Sequence, residues 1–316
     1  MMQPQVRHFL QSDEWAKFQK VLGNTVIQRS GTGWQYSAIL ERGDGSVGRH
    51  FSRLYRPYGP SYADESSLEA ALKDLEQTAT KYSVDYVRVE PVCTNPVDQI
   101  SIISGYSKLS HSFQPSLSLL IDLDIPFDDV LASLSKTNRY LWNRREKNNL
   151  QFNISYETED LESFLLMMNE TSERTRASFK KTQYYELLLE SLGPAKNIGV
   201  AYAYFEKEVL VGVLFADDFE AKTRYYLYAG SFDKARQHSA NSPLVTYLLF
   251  TAQKSGLHHF DFFGVAPADA TDHRWAGFSK FKRSFGGREV AYAGTWEKPI
   301  KSGRYKLMTL ARKFAR

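Results

Sequence analysis

One order of elements can be read twice along this chain, and that leaves few folds open to it. Helix, strands, helix, strand runs over residues 9–90 and again over 159–264. In the first pass, Trp15, Phe18 and Leu22 recur at helical spacing behind a capping Ser12. Strands follow at Val26–Ile27, Trp34–Glu41 and Phe51–Tyr55, broken by glycine- and proline-rich turns. A helix capped by Ser66 or Ser67 runs to about Tyr82, with Leu68, Ala71, Leu72, Leu75 and Ala79 on one face. A short strand, Tyr86–Glu90, ends at Pro91. The second pass has helices over 159–176 and 184–192, and three strands at Ile198–Glu206, Val209–Asp217 and Thr223–Ser231. The helix Pro243–Ser255 and the strand His259–Gly264 close it. Two copies of one α/β fold, each with an antiparallel meander, account for this order.

Between and after the passes, the pattern predicts a strand at Leu117–Leu123, helices over Pro126–Leu134 and Lys136–Asn149, and a strand at Phe152–Tyr156. It also predicts a helix over Gly277–Phe285, a strand over Val290–Trp296 and a helix over Arg304–Ala315. The formal charge is only +4, but it is unevenly spread. Lys136–Asn149 carries +4, His273–Arg288 +5 and Lys298–Arg316 +7, leaving −12 for the rest. Such separation builds local positive potential that suits phosphate, nucleic acid or anionic lipid; solvated helix faces are the alternative for each block.

Several chemistries lack their residues. No run approaches the ~18 apolar residues of a membrane helix, and no charged-then-apolar leader opens the chain. A lone cysteine, Cys93, cannot form an internal disulfide, which fits a reducing, cytoplasmic setting and excludes cysteine-rich zinc sites. His258 and His259 point apart on a strand and make a poor metal pair. There is no Walker loop, no dinucleotide fingerprint and no Gly-x-Ser-x-Gly elbow. Arg274-Trp-Ala-Gly277-Phe-Ser279 comes near an acetyl-coenzyme A pyrophosphate loop but ends in Ser where Gly or Ala is required.

A set of short segments, in order along nearly the whole chain, resembles the FemABX family of peptidoglycan-bridge aminoacyltransferases. They are Gln11-Ser12-Asp13-Glu14-Trp15, Tyr58-Gly59-Pro60, Arg88-Val89-Glu90-Pro91 and the basic run Lys136–Lys147. Glu170-Thr171-Ser172-Glu173-Arg174 with Tyr184-Tyr185, then Tyr226–Ser231, Asp261-Phe262-Phe263-Gly264, Phe281–Gly286 and Gly294–Pro299 complete the set. The resemblance implies two acetyltransferase-like (GNAT) α/β domains in tandem: residues 1–122 with a returning segment 288–316, and residues 123–287. It implies transfer of an amino acid from aminoacyl-tRNA, as co-substrate, to the stem-peptide amine of UDP-MurNAc-pentapeptide or its lipid-linked form, lipid II. No metal or resident cofactor is expected.

An aminoacyl ester is already activated, so attack by an amine needs positioning, oxyanion stabilisation and one proton transfer. The resemblance places Lys282 near the tRNA acceptor end, where its ammonium would stabilise the developing charge, whereas spacing alone reads it as a surface lysine of a basic helix. Asp261 is a candidate base, with a substrate phosphate as the alternative, and it suits a turn ahead of Gly264 equally well. Arg174, with a guanidinium fork suited to phosphate, is the acceptor-binding candidate, with Tyr225 and Tyr228. Strict alternation puts Tyr225 and Tyr228 on opposite faces unless the strand bulges, and puts Tyr226 and Tyr228 on one face. Tyr58 can stack or hydrogen-bond at the Gly59-Pro60 turn or simply pack. The resemblance implies a phosphate-binding lysine near the N-terminus, at Lys17 or Lys20. Arg139, Arg144, Arg145 and Lys147, with Lys136, form a broad basic strip for tRNA on one predicted helix. The 298–316 tail, with Leu307, Leu310, Ala311 and Phe314 amid basic residues, is matched to peripheral contact with the inner membrane leaflet, or to packing. Two other readings stay open: an acyl-coenzyme A-dependent N-acyltransferase, and a non-catalytic tRNA- or membrane-binding module.

Overall fold

The computed structural model describes residues 7–43, 45–92, 105–175, 179–270 and 275–314; Cys93 and Arg274 lie outside these. Along the chain come α1 (Asp13–Val21), β1 (Thr25–Gly31), β2 (Trp34–Arg42), α2 (Gly45–Gly48), β3 (Ser52–Arg56) and β4 (Ser61–Tyr62). Next are α3 (Glu65–Lys81), β5 (Tyr86–Val89), β6 (Ser107–Lys108), β7 (Leu117–Asp122), α4 (Phe127–Ser133), α5 (Lys136–Asn143) and β8 (Leu150–Ser155). Then follow α6 (Leu161–Thr175), α7 (Thr182–Leu192), β9 (Ile198–Phe205), β10 (Glu208–Asp218) and β11 (Thr223–Ser231). The chain closes with α8 (Asn241–Lys254), β12 (His259–Gly264), α9 (Ala276–Arg283), β13 (Arg288–Ala291), β14 (Trp296–Pro299) and α10 (Ser302–Phe314). They form two compact units, residues 1–116 with 291–316, and residues 117–290.

In the first unit the sheet order is β1-β2-β3-β5-β14-β6, with β4 on β2. The returning strand β14 is therefore interior, antiparallel to both β5 and β6. Its Glu297 receives the buried Arg88 of β5, whose Nε donates to Oε1 at 2.8 Å. α3 lays Leu68, Leu72, Leu75 and Ala79 against Tyr36, Leu54, Val87 and Trp296. Its cap is Asp64, in a reciprocal box with Ser67, not Ser66 or Ser67 as the sequence suggested.

In the second unit the order is β13-β7-β12-β11-β10-β9-β8. α6 packs on β10 and β11, where Gly212 and Gly230 leave room for Met167. On the opposite face the all-round apolar α8 is buried against Phe215, Phe260 and Phe262. β7 pairs with β12 here, so Leu117–Asp122 belongs to the second unit and not, as the 1–122 boundary had it, to the first. The single strand expected over Val290–Trp296 is two: β13 in this sheet and β14 in the other, parted at Gly294 with φ +76°. The basic helix is shorter than the expected 136–149. It ends at Asn143, and turns carry the chain to Asn149, which takes a left-handed φ of +52°.

Candidate active site

The strand β12 breaks its regular pairing with β7 between Asp261 and Gly264. Asp261 Oδ1 accepts the Phe263 amide at 2.6 Å, which holds Phe263 in the left-handed region at φ +61°. A non-glycine residue there costs conformational energy that the surrounding contacts must offset. Ser118 of β7 closes the turn: its hydroxyl lies between Asp261 Oδ1 and the Phe263 carbonyl, the latter at 2.9 Å. One hydroxyl proton cannot serve both acceptors. When Asp261 is protonated it donates to Ser118, and Ser118 is then free to donate to the carbonyl. Burial raises the Asp261 carboxyl above the ordinary aspartate value, opposed by these hydrogen bonds and by Lys282.

Lys282 reaches the same turn from α9. It is 7% exposed, and its Nζ donates to the Gly264 carbonyl at 2.7 Å. The ammonium lies 4.8 Å from the ring centre of Phe278 and 5.7 Å from that of Tyr226, within reach of both π faces. Desolvation lowers its pKa from 10.5 to about 7, and Asp261 opposes the fall. A buried amine that titrates near neutrality beside a carboxyl of raised pKa is an arrangement suited to moving protons. Phe278 is itself exposed, so the cation sits under an aromatic that faces solvent.

The pairing of β10 with β11 slips between Leu214 and Phe215, whose partners are Tyr228 and Tyr226, so Leu227 is an extra residue. This bulge reverses the expected parity. Tyr226 meets Phe260 and Phe262 on the α8 side, whereas Tyr228 meets Tyr185 of α7 on the other. Tyr226 and Tyr228 thus do not share a face, and alternation now returns Tyr225 and Tyr228 to the same one. Tyr225 is the lateral partner of Asp261 across the parallel β11–β12 pair.

Arg174 lies apart from this cluster in sequence and in setting, on a cleft of about 840 Å³ that also contains Glu170, Glu173, Glu208, Asp233 and Lys234. Its Nη1 donates to Asp233 Oδ1 at 2.9 Å. Four carboxylates face two cations there, so a diphosphate would have to displace Asp233 and meet net negative charge. On the basic segment, Arg139 donates to the carbonyls of Ala132 and Leu134 at the end of α4. Arg144 stacks over Tyr140, and Arg145 lies 4.0 Å from the Trp142 ring centre; Lys147 is exposed. The one-helix strip is therefore a short helix plus a turn, with three of its arginines already engaged by the protein.

Tyr58 and Lys17 belong to the first unit. Tyr58 is buried, stacked on His8 at 4.0 Å, and its hydroxyl donates to the Pro115 carbonyl at 2.8 Å, so it packs rather than presents itself. Lys17 is exposed on α1. In the near-miss to the coenzyme A loop, Ser279 donates its amide to the Trp275 carbonyl, and its hydroxyl accepts the Ala266 amide at 2.8 Å. The position is locked into helix packing. Sequence reasoning gave no site role to Ser118, the Gly264 carbonyl, Tyr226 or Phe278. A lone serine in an apolar strand was the only signal for Ser118, and none marked the Gly264 carbonyl.

Two sheets of this build, each flanked by helices, define a tandem acetyltransferase-like protein. A tandem GNAT protein of the clavulanic acid pathway superposes with a TM-score of 0.50 at 12% identity, covering 88% of this chain and 83% of that one. The structure of FemX superposes far better, with a TM-score of 0.84 at 16% identity over 95% of this chain and 94% of its own. The model of the FemAB family matches residues 104–211 and 208–313, and the chain belongs to that family. Aminoacyltransferase FemA of Staphylococcus aureus (strain MW2) is 29% identical over 109 residues. That match spans 34% of this chain and only a quarter of the length of FemA. Among the described residues no helix is long and apolar enough to cross a membrane.

Proposed function

We propose that this protein transfers an amino acid from aminoacyl-tRNA to the stem-peptide amine of a peptidoglycan precursor, UDP-MurNAc-pentapeptide or lipid II. The observation that carries this reading is the Lys282–Asp261 cluster at the turn of β12. Membership of the FemAB family supports it, as does the name of the FemA relative. In the reaction the acceptor amine attacks the ester carbonyl, a C–N bond forms, and the ester C–O bond to the ribose breaks. Negative charge builds first on the carbonyl oxygen and then on the departing ribose oxygen. Lys282, held in low dielectric, stabilises that charge far better than an exposed lysine would. With a pKa of about 7 it can also deliver the proton the ribose oxygen needs. Asp261 and Ser118 then accept the proton the amine sheds, through the hydroxyl they share.

The test is incubation with charged tRNAs and UDP-MurNAc-pentapeptide or lipid II, read by mass spectrometry. The expected product is an acceptor heavier by one aminoacyl residue, which also names the amino acid. No adduct from any charged tRNA on either acceptor would overturn the reading. Acylation from an acyl-coenzyme A instead would establish the N-acyltransferase alternative, although the packed Ser279 argues against a pyrophosphate loop there.

A further inference from the structure

Helix α10 carries a face that the fold does not use. Its inner side is committed: Met308 is fully buried with Phe51 and Tyr86, and the Tyr305 hydroxyl donates to Glu297 at 2.7 Å. Its outer side is apolar and open, with Leu307, Leu310 and Phe314 exposed by 59%, 54% and 84%. Their spacing of three and four places them in one stripe, about 10 Å long at 1.5 Å per residue. Scattered exposed leucines need no explanation, but three large side chains aligned on one helix do.

Along the segment itself the charge has one sign. From Lys298 to Arg316 the sequence has seven basic residues and no acid. Some are spoken for: Lys298 pairs with Glu76 and Arg304 with Asp85. Lys306 is exposed next to the stripe. A second basic segment lies next to the helix. α10 packs on α2, and Arg304 Nη2 donates to the His50 carbonyl at 2.9 Å, which brings up the loop bearing exposed Arg49. Arg42, also exposed, donates to the Arg49 carbonyl.

We propose that the outer face of α10 docks on an anionic phospholipid surface, with Leu307, Leu310 and Phe314 entering the acyl boundary. Lys306, Arg42 and Arg49 meet the headgroups. An apolar stripe within a basic rim is the pattern of a helix that lies in a membrane interface. A nucleic acid backbone would use the charges but gains nothing from three exposed apolar side chains. The inference does not depend on the transfer reaction and is tested without it.

The test is co-sedimentation of the full chain with phosphatidylcholine vesicles, with and without phosphatidylglycerol. Binding is expected only to the anionic vesicles and should weaken with salt. Combined Leu307→Ser, Leu310→Ser and Phe314→Ser should abolish it, and Lys306→Ala should weaken it about fivefold. The substituted side chains are exposed, so an unchanged thermal midpoint certifies the fold, and Lys306→Ala serves if the triple variant fails that check. Equal binding to neutral vesicles, or full binding by the apolar variant, overturns the proposal. So does a dimer by light scattering that the apolar variant dissolves, which would assign the face to a second copy.

Discussion

Replacing Lys282 with methionine should cost activity and add stability, and the two effects come from the same burial. The lysine's pKa falls from 10.5 to about 7 in the folded protein. At ~1.4 kcal/mol per pH unit, keeping this group inside costs ~4 kcal/mol at pH 7. Against that, the variant loses the 2.7 Å bond to Gly264 and leaves its carbonyl bare, worth ~1–3 kcal/mol. The net gain is ~2 kcal/mol, or about 3 °C in the melting midpoint for a chain of this size. The sign fixes the pH dependence. The unfolded chain binds the lysine proton more tightly than the folded one, so the penalty is full below about pH 7 and fades as pH rises toward 10.5. The advantage of the variant should therefore be largest at or below neutrality and turn into a deficit of ~1–3 kcal/mol in alkali, where only the lost bond to Gly264 remains. Turnover, measured by acceptor mass, should fall about 10²–10³-fold with acceptor affinity nearly unchanged. Near-normal turnover would end the catalytic assignment. An inactive variant that is also less stable than the parent at neutral pH would show that Lys282 holds the turn together and does no chemistry.

Asp261→Asn removes the carboxyl that raises the pKa of Lys282, so the alkaline limb of the rate profile should move to lower pH; an unmoved limb would uncouple the two groups. Ser118→Ala should reduce turnover about tenfold with little change in KM, since it breaks the proton path through the shared hydroxyl. A pure KM effect would make Ser118 a scaffold residue. If Arg174 does hold an acceptor phosphate, Asp233→Asn should tighten acceptor binding by freeing the guanidinium, and Arg174→Ala should weaken it, both by calorimetry. Unchanged affinity in both variants would leave Arg174 as half of a surface ion pair. Charge reversal at Arg144 and Arg145 should flatten the log–log salt dependence of aminoacyl-tRNA use, its slope falling by about one for each phosphate no longer neutralised. An unchanged slope would return that segment to its packing on Tyr140 and Trp142.

The doubled architecture was legible because periodicity survives without coordinates: α3, α8 and the meander β9–β11 lie close to where their apolar patterns put them. What was not legible depended on single residues with no signature of their own. The extra residue at Leu227 has no glycine to announce it, yet it moves Tyr228 to the opposite face from Tyr226. Asn149 closes the segment after α5 by adopting a positive φ, which asparagine tolerates but does not demand. For the candidate site, residue type was readable and environment was not. Lys282 sits in a basic run that reads as a wet helix face, and only the packing of α9 on the end of β12 shows it to be dry. Arg174 is the converse: the sequence supplied a phosphate-binding side chain, and the fold supplied it with Asp233.

Strand β14 has a consequence for how the chain is made. It fills the space between β5 and β6, and its Glu297 is the buried partner of Arg88, which stands more than two hundred positions earlier. On the ribosome, every residue of 117–290 is synthesised before the strand that completes the first sheet. The second unit can assemble from contiguous chain as it emerges. The first must wait with a gap in its sheet, an arginine without its carboxylate, and the inner edge of β5 unpaired. A nascent chain stalled short of Trp296 would thus expose a hydrogen-bonding edge of the kind chaperones cover. Late translation, not early folding, decides when the N-terminal half becomes a finished structure.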